Sequence, residues 1–348
     1  MPLNPTVDDL AVRNTTEENT RLTPTFTMGR RALLAFGLTA LGAAALLAAA
    51  CGGDDGAKDA TTPAGNGGAS VSGSLNIEGS STVAPYTRLA IEKFEAANKG
   101  AKVTTGEKGS GGGITALIKK EVPLAASSRK MKQDEIDQAK AAGLDPFETR
   151  IFTDALVIVV NPDNTVAQLT EQQVAKIFAG EITNWKDVGG KDGKITVYTR
   201  NEESGSFSYM QDDVIKVILG SNAKYGSNVN KQQNAPAGLT AVASDKSGIF
   251  YAGLGNLKDL GSDASKLKVL AVAKSTCKDG SCTDGTAFVK PEEKTVKDNS
   301  YPISRGLYYY SNGDPQKSGD AVLKAYIAYV LSPDGQKLGE TLGFVPVK

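Results

Sequence analysis

The chain has 348 residues, 39 basic against 39 acidic side chains, three cysteines and no histidine. That length accommodates two ordinary domains. Balanced charge without a single-sign run argues against a nucleic-acid partner. Without histidine there is no Ser-His-Asp triad, no Cys-His pair and no His-ligated metal site.

Residues 1–29 are polar, lack an apolar period and read as disordered, with Met28 as an alternative start. Arg30 and Arg31 then lead into the uncharged residues 32–50. A charged start, an apolar run and small residues before a cysteine have the order of an export signal. Leu47-Ala48-Ala49-Ala50-Cys51 resembles a bacterial lipobox, which makes Cys51 the lipidated first residue of a mature chain. The apolar length alone would equally suit a membrane-spanning anchor, and the paired arginines loosely resemble a twin-arginine signal. Residues 52–73 are mostly Gly, Ala, Thr and Asp and read as a flexible tether. It would hold the following domain about 25 Å from the anchor.

The predicted elements then alternate. Residues 74–78 read as a strand, 79–83 (Gly-Ser-Ser-Thr-Val) turn from it, and Pro85 opens a helix reaching residue 98. A strand at 102–105, a Gly-Ser-Gly-Gly-Gly turn at 109–113 and a helix at 114–120 repeat the unit. A third strand, 122–126, ends at Ser127-Ser128-Arg129. Residues 154–160 form the most apolar strand, stopped by Asn161-Pro162-Asp163-Asn164. An amphipathic helix follows at 169–178, capped by Thr170 and closed by Gly180, and the only tryptophan, Trp185, is assigned to packing.

A strand at 194–198 delivers Arg200, and Ser204, Gly205 and Ser206 stand where a helix over 207–219 begins. First-turn amides without intrahelical partners, the positive end of the helix dipole, hydroxyls and a guanidinium together suit a tetrahedral oxyanion. The plainer alternative is N-capping by Ser204 with Arg200 on the surface. Residues 221–243 are polar with a helical second half, and strands follow at 248–251 and 267–273. Cys277 and Cys282 close a tight polar loop, expected as a disulfide in an oxidising compartment. A β-prone run at 301–310 and helices at 320–331 and 335–342 complete the chain. Alternating β and α predicts an α/β fold with a mainly parallel sheet and ligands at the carboxyl ends of its strands. The Gly-rich turn is neither a P-loop nor a dinucleotide fingerprint. Ser127-Ser128-Arg129-Lys130 fits Ser-x-x-Lys, but the companion motifs of that hydrolase class are absent.

Taken together, Gly79–Val83, Gly109–Gly113, Ser127-Ser128-Arg129 and Arg200 to Ser206 resemble, in order and spacing, the phosphate-binding proteins of bacterial ABC transporters. The stretches 169–185 and Tyr301-Pro302-Ile303-Ser304-Arg305 are similar to that family as well, so the resemblance covers about 74–348. It implies a two-lobed periplasmic-binding-protein fold of type II whose lobes are joined by two crossover strands. The crossings are expected near 156–161 and 301–310, with lobe one over 74–156 and 305–348 and lobe two over 157–304. The implied ligand is inorganic phosphate, the implied partner an ABC-transporter permease, with membrane attachment through the lipid anchor, no cofactor, no nucleic acid and no catalysis. By the same resemblance Ser81, Thr82 and Val83 supply the first set of donors and Ser110 a second. Arg200, Ser204, Gly205 and Ser206 supply the guanidinium and helix-start donors of the other lobe, and Glu202 or Glu203 either orients Arg200 or lies on the surface.

One slot departs from the family pattern. An aspartate that accepts the phosphate proton and repels sulfate is replaced by Ser128, followed by Arg129. Arg129 then either supplies charge to the ligand or caps a helix, and Ser128, whose hydroxyl both donates and accepts, takes the proton. Another oxyanion such as sulfate or molybdate, a surface sensor of the same fold, and a hydrolase using Ser127 and Lys130 are the alternatives.

Overall fold

The computed structural model describes residues 71–278 and 281–347. The export segment, Cys51 and the tether up to residue 70 lie outside the described residues. The first half runs β1 (Ser72–Gly79), α1 (Ala84–Ala97), β2 (Gly100–Thr105), α2 (Gly109–Ile118), β3 (Leu124–Ser127), α3 (Gln133–Ala141), β4 (Pro146–Val160), β5 (Gln168–Thr170) and α4 (Glu171–Ala179). Then come β6 (Thr196–Arg200), α5 (Gly205–Tyr209), α6 (Lys216–Leu219), β7 (Asn230–Gln232), α7 (Ala235–Ser244), β8 (Gly248–Gly253) and α8 (Leu254–Asp259). The last part holds β9 (Lys268–Val269), β10 (Ala271–Lys278), β11 (Ser281–Val289), α9 (Glu293–Lys297), β12 (Ser304–Asn312), α10 (Ala321–Val330), α11 (Pro333–Thr341) and β13 (Val345–Pro346).

One long sheet has the order β2-β1-β3-β12-β4-β8-β6-β7. Its flanks are parallel, β1 with β2 and β3, and β6 with β7 and β8. Its centre is antiparallel, because β12 returns between β3 and β4 and β4 lies against β8. The expected mainly parallel sheet is therefore mixed, and the reason is the two central strands. β4 pairs with β12 through Ala155 and with β8 from Leu156 onward, so a single strand serves both halves of the sheet. It also feeds two cores. Residues 155–160 of β4 pack with Phe178, Val242 and Phe250, whereas Ile151 and Phe152 pack with Leu75, Phe94, Tyr326 and Phe344. Burial on both faces explains the unbroken apolar run at 155–160.

Local chemistry sets the helix ends. Thr170 caps α4 in a reciprocal box with Gln173, and Gly180 ends it at φ 78°. Ser204 caps α5, which continues through a π-helical segment, Met210–Ile215, into α6 in place of the single regular helix expected. The Gly-rich turn expected at 109–113 is instead the first turn and a half of α2. Packing explains why glycine is tolerated there: a Cβ on Gly113 would lie 2.5 Å from Glu78 O and 2.6 Å from Gly79 Cα, so the helix rests on the backbone of β1. Cys277 and Cys282 face each other across the β10–β11 hairpin and form a disulfide. Trp185 is buried, with Nε1 donating to Ser247 O at 3.2 Å. Among the described residues no helix is long and apolar enough to cross a membrane.

Because the Gly113 contact is with backbone, it cannot relax by rotamer change. Gly113→Ala should lower unfolding stability by about 1–3 kcal/mol, read from the urea midpoint. An unchanged midpoint would mean that α2 stands off β1.

Candidate functional site

The carboxyl ends of β1, β3 and β6 converge with the start of α2 and the start of α5, which is where ligands bind in open α/β sheets. After β1 the chain turns through Ser80, whose carbonyl accepts Val83 N (3.1 Å) and Ala84 N (3.0 Å) and whose Oγ accepts Thr82 N (3.2 Å). That turn points the hydroxyls of Ser81 and Thr82 toward the opposite elements. Val83 behaves differently from expectation: its N–H is spent inside the turn and its side chain is buried in the core. Asn256 of α8 secures the turn by donating to Ser81 O at 2.8 Å.

Arg200 ends β6 almost fully buried, at 2 % exposure. Its Nη1 donates to Ser81 Oγ at 2.8 Å and its Nη2 to Gln233 O at 3.0 Å. Its backbone N–H donates to Tyr251 OH (3.3 Å), which is linked in turn to Thr199 Oγ1 (2.6 Å) and Tyr225 OH (2.7 Å). Neither adjacent glutamate orients this guanidinium. Glu202 pairs with Lys231 on the surface, and Glu203 contributes its carbonyl, which accepts Gly111 N at 2.8 Å. Ser204 Oγ accepts Ser206 N (3.1 Å) and Phe207 N (3.4 Å), so it caps the helix, while Arg200 is buried rather than on the surface.

The second guanidinium among the hydroxyls belongs to Arg305 on β12, not to Arg129. Arg305 Nη1 donates to Ser206 Oγ (2.8 Å) and Nη2 to Thr82 Oγ1 (3.1 Å), with Asp154 Oδ2 at 3.4 Å. Arg129 is clasped by both carboxylate oxygens of Glu135 at 2.7 and 2.6 Å and donates to Lys130 O, which ties it to the start of α3. Sequence reasoning passed over Arg305 although it closes the Tyr301–Arg305 stretch that carries the resemblance. It also passed over Asp154, hidden at the head of an apolar strand. Ser110 and Ser128 meet below α5, with Ser128 N donating to Ser110 Oγ (3.1 Å) and the two hydroxyls 3.4 Å apart. A Cβ on Gly205 would run into Ser110 Oγ and lie 2.6 Å from Ser128 Oγ. An open cleft of about 340 Å³ leads to Arg305 past Lys130, Tyr209, Asp213 and Tyr308.

The electrostatics are lopsided. Burial pulls Arg200 down to about 10, Tyr251 opposes that pull and Arg305 adds to it; Arg305 is lowered by burial and supported by Asp154. Both stay protonated at neutral pH. Burial pushes Asp154 up to about 6 despite Arg305 beside it. Neither Arg200 Nε nor Arg305 Nε has an acceptor among the described residues. The hydroxyls of Ser81, Thr82 and Ser206 each accept a guanidinium N–H, which leaves their own protons to donate, one of them between Thr82 and Ser206 at 3.3 Å. Two buried cations, one carboxylate and these hydroxyls make a receptor for an anion.

A fold of this kind, with an anion site between strand ends of two half-sheets, is that of a periplasmic-type substrate-binding protein. The chain belongs to the PBP superfamily, whose domain model matches residues 64–334. Phosphate-binding protein PstS of Staphylococcus epidermidis is 32% identical over 313 residues, covering 89% of this chain and 87% of that protein. The Staphylococcus aureus protein of the same name is 31% identical over 312 residues, covering 89% and 86%. Among solved structures, a Clostridium perfringens protein crystallised with bound phosphate shares the fold with a TM-score of 0.63 at 24% identity, over 79% of this chain and 100% of that one. An ABC-type phosphate transport receptor from Vibrio cholerae gives 0.56 at 24% identity, over 78% and 99%.

The close approach at Gly205 yields a test. Gly205→Ala should weaken anion binding at least tenfold, about 1.4 kcal/mol, in a calorimetric titration with phosphate. Unchanged affinity would show that Ser110 and Ser128 need not close on α5.

Proposed function

We propose that this chain is an extracytoplasmic receptor that binds inorganic phosphate between two lobes and delivers it to the permease of an ABC importer. The observation that carries this reading is the pair of buried guanidinium groups, Arg200 and Arg305, bonded to successive hydroxyls of one turn with a single carboxylate near them. The names of the staphylococcal relatives support phosphate as the ligand. In this reading Ser81, Thr82, Ser110, Ser128, Arg200, Gly205, Ser206 and Arg305 surround the ligand and Ser204 shapes the helix start. Lobe one comprises 74–156 with 305–348 and lobe two 157–304, and the change of partner along β4 between Ala155 and Leu156 supports that division. Cys51 carries the lipid anchor, and the protein binds its ligand without turning it over.

A second oxyanion is favoured by one observation: Ser110 and Ser128, not a carboxylate, face Gly205. If Ser128 Oγ donates to Ser110 it can accept a P–OH proton; in the opposite arrangement it donates to an unprotonated oxygen. Such a pair discriminates weakly between phosphate and sulfate.

The deciding experiment is calorimetric titration of the purified protein with phosphate, then with sulfate as competitor. Phosphate binding is expected, and its absence would overturn the proposal. Arg200→Ala and Arg305→Ala should each reduce affinity by about 2–5 kcal/mol, since each removes charged hydrogen bonds from a desolvated site. A loss below about 0.5 kcal/mol would place that arginine outside the site. Ser128→Asp should bind phosphate while losing sulfate, because a carboxylate accepts a P–OH proton and repels a fully ionised anion. Equal sulfate binding by the variant would remove Ser128 from contact with the ligand.

A further inference from the structure

Asp154 is a buried ionisable group whose protonation state the binding site described above leaves unassigned. It lies on β4 one residue before the last β12 pairing, directly across the ladder from Arg305, and is fully buried. Its Oδ1 accepts Leu254 N at the start of α8 (3.0 Å), and its Oδ2 lies 3.4 Å from Arg305 Nη2. That same nitrogen donates to Thr82 Oγ1, and its twin Nη1 to Ser206 Oγ. One guanidinium therefore contacts the carboxylate and two hydroxyls of the anion site together.

We propose that Asp154 takes up a proton from solvent when the site closes on a doubly charged oxyanion, so that the protein, and not the ligand, carries the neutralising proton. This rests on the phosphate reading of the preceding section. With Asp154 ionised, Arg305 already has one carboxylate in contact with it, and Asp213 and Glu107 act on Arg305 and Arg200 from farther out. A dianion then adds negative charge in a desolvated place where a carboxylate already draws on Arg305, and it draws Arg305 away from the carboxylate that depended on it. Both effects favour the neutral acid. A protonated Asp154 keeps an oxygen for Leu254 N, and two guanidinium groups then face one dianion.

Among the described residues few groups act directly on Asp154. The charged or titratable groups acting on Asp154 are Arg305 from β12, Tyr209 from α5 and Tyr301 from the segment before β12. Burial pushes both phenols upward, so they stay neutral. Asp213 of the π-helical segment acts on Tyr209 and on Arg305, Arg305 and Arg200 act on each other, and Lys130 and Lys132 line the cleft beside Arg305. Asp154 is already raised to about 6 before any ligand arrives, with burial outweighing Arg305. A modest further rise carries it through neutrality.

The test is calorimetric titration of the whole protein with inorganic phosphate at pH 7 in two buffers of different ionisation enthalpy, which counts protons exchanged per phosphate. Comparison of wild type with Asp154→Asn counts the proton that depends on this carboxyl, and the labelling measurement below places it on the protein or on the ligand. Wild type should take up a fraction of a proton, approaching one, more than the variant; equal counts overturn the proposal. Because an asparagine amide presents a donor toward Arg305 and can misplace it, a second measurement uses the unaltered sequence. With carboxyl-¹³C-labelled aspartate, the resonance that Asp154→Asn lacks should move to its protonated position when phosphate is added at pH 7. If no aspartate changes protonation, the proposal fails whatever the variant does. Phosphate binding with no proton difference sinks this inference alone, whereas no binding by wild type sinks the phosphate reading and this inference with it.

Discussion

Two arginines buried within reach of one another are the constraint on which the structure turns. An unpaired cation taken out of water carries a penalty of several kcal/mol even after relaxation. Arg200 and Arg305 meet that penalty with hydroxyl oxygens, one backbone carbonyl and the long contact to Asp154, and each retains an Nε without an acceptor among the described residues. Such a site is strained electrostatically until an anion enters. The fold is arranged around holding the two cations in place: Arg200 ends β6, braced by Tyr251, Thr199 and Tyr225, and Arg305 starts β12 against Asp154 of β4. β4 alone pairs into both half-sheets, and Arg305 stands opposite Asp154 just before β4 changes partner.

The glycines supply the complementary condition, which is closeness. Gly113 lets α2 settle on the backbone of β1, and Gly205 lets α5 approach Ser110 and Ser128. At Gly109, φ is 88° and a Cβ would lie 2.5 Å from Glu203 O, beside the Gly111 N–Glu203 O hydrogen bond. At these points the two sides of the site meet through backbone and hydroxyl contacts. Polar, short-range contacts of this type separate in water without exposing a core.

Much of this was legible in the sequence. Strand, Gly/Ser turn and helix recur with local signals strong enough to read, and Ser81, Thr82, Ser110, Ser128, Arg200, Gly205 and Ser206 do come together. What escaped has physical reasons. The first half of β4 mixes Glu148 and Arg150 with apolar residues, so its pairing with β12 left no clean pattern. Helix α3 buries only Ala139 and is held at its start by the Arg129–Glu135 pair, a contact visible only in three dimensions. Arg305 was within a recognised stretch, but nothing local says that a strand residue at 305 faces hydroxyls near 82 and 206. The β-prone run around it signals a strand and is silent on what the arginine meets.

The hydroxyls decide what kind of recognition the site performs. Ser81, Thr82 and Ser206 have their lone pairs engaged by guanidinium groups, so toward a ligand they act chiefly as donors, although Thr82 and Ser206 lie 3.3 Å apart and one proton is shared between them. Donors and cations reward negative charge and oxygen geometry; they do not ask whether the anion carries a proton. Only the Ser110–Ser128 pair can reverse its direction, and a reversible hydroxyl accommodates either protonation state without rejecting one. Rejection requires a repulsive element as well as an attractive one. The carboxylate nearest the arginines is Asp154, which stands on the far strand and contacts Arg305 instead of the hydroxyl cluster. Any influence it has on a ligand passes through the charge and position of that guanidinium.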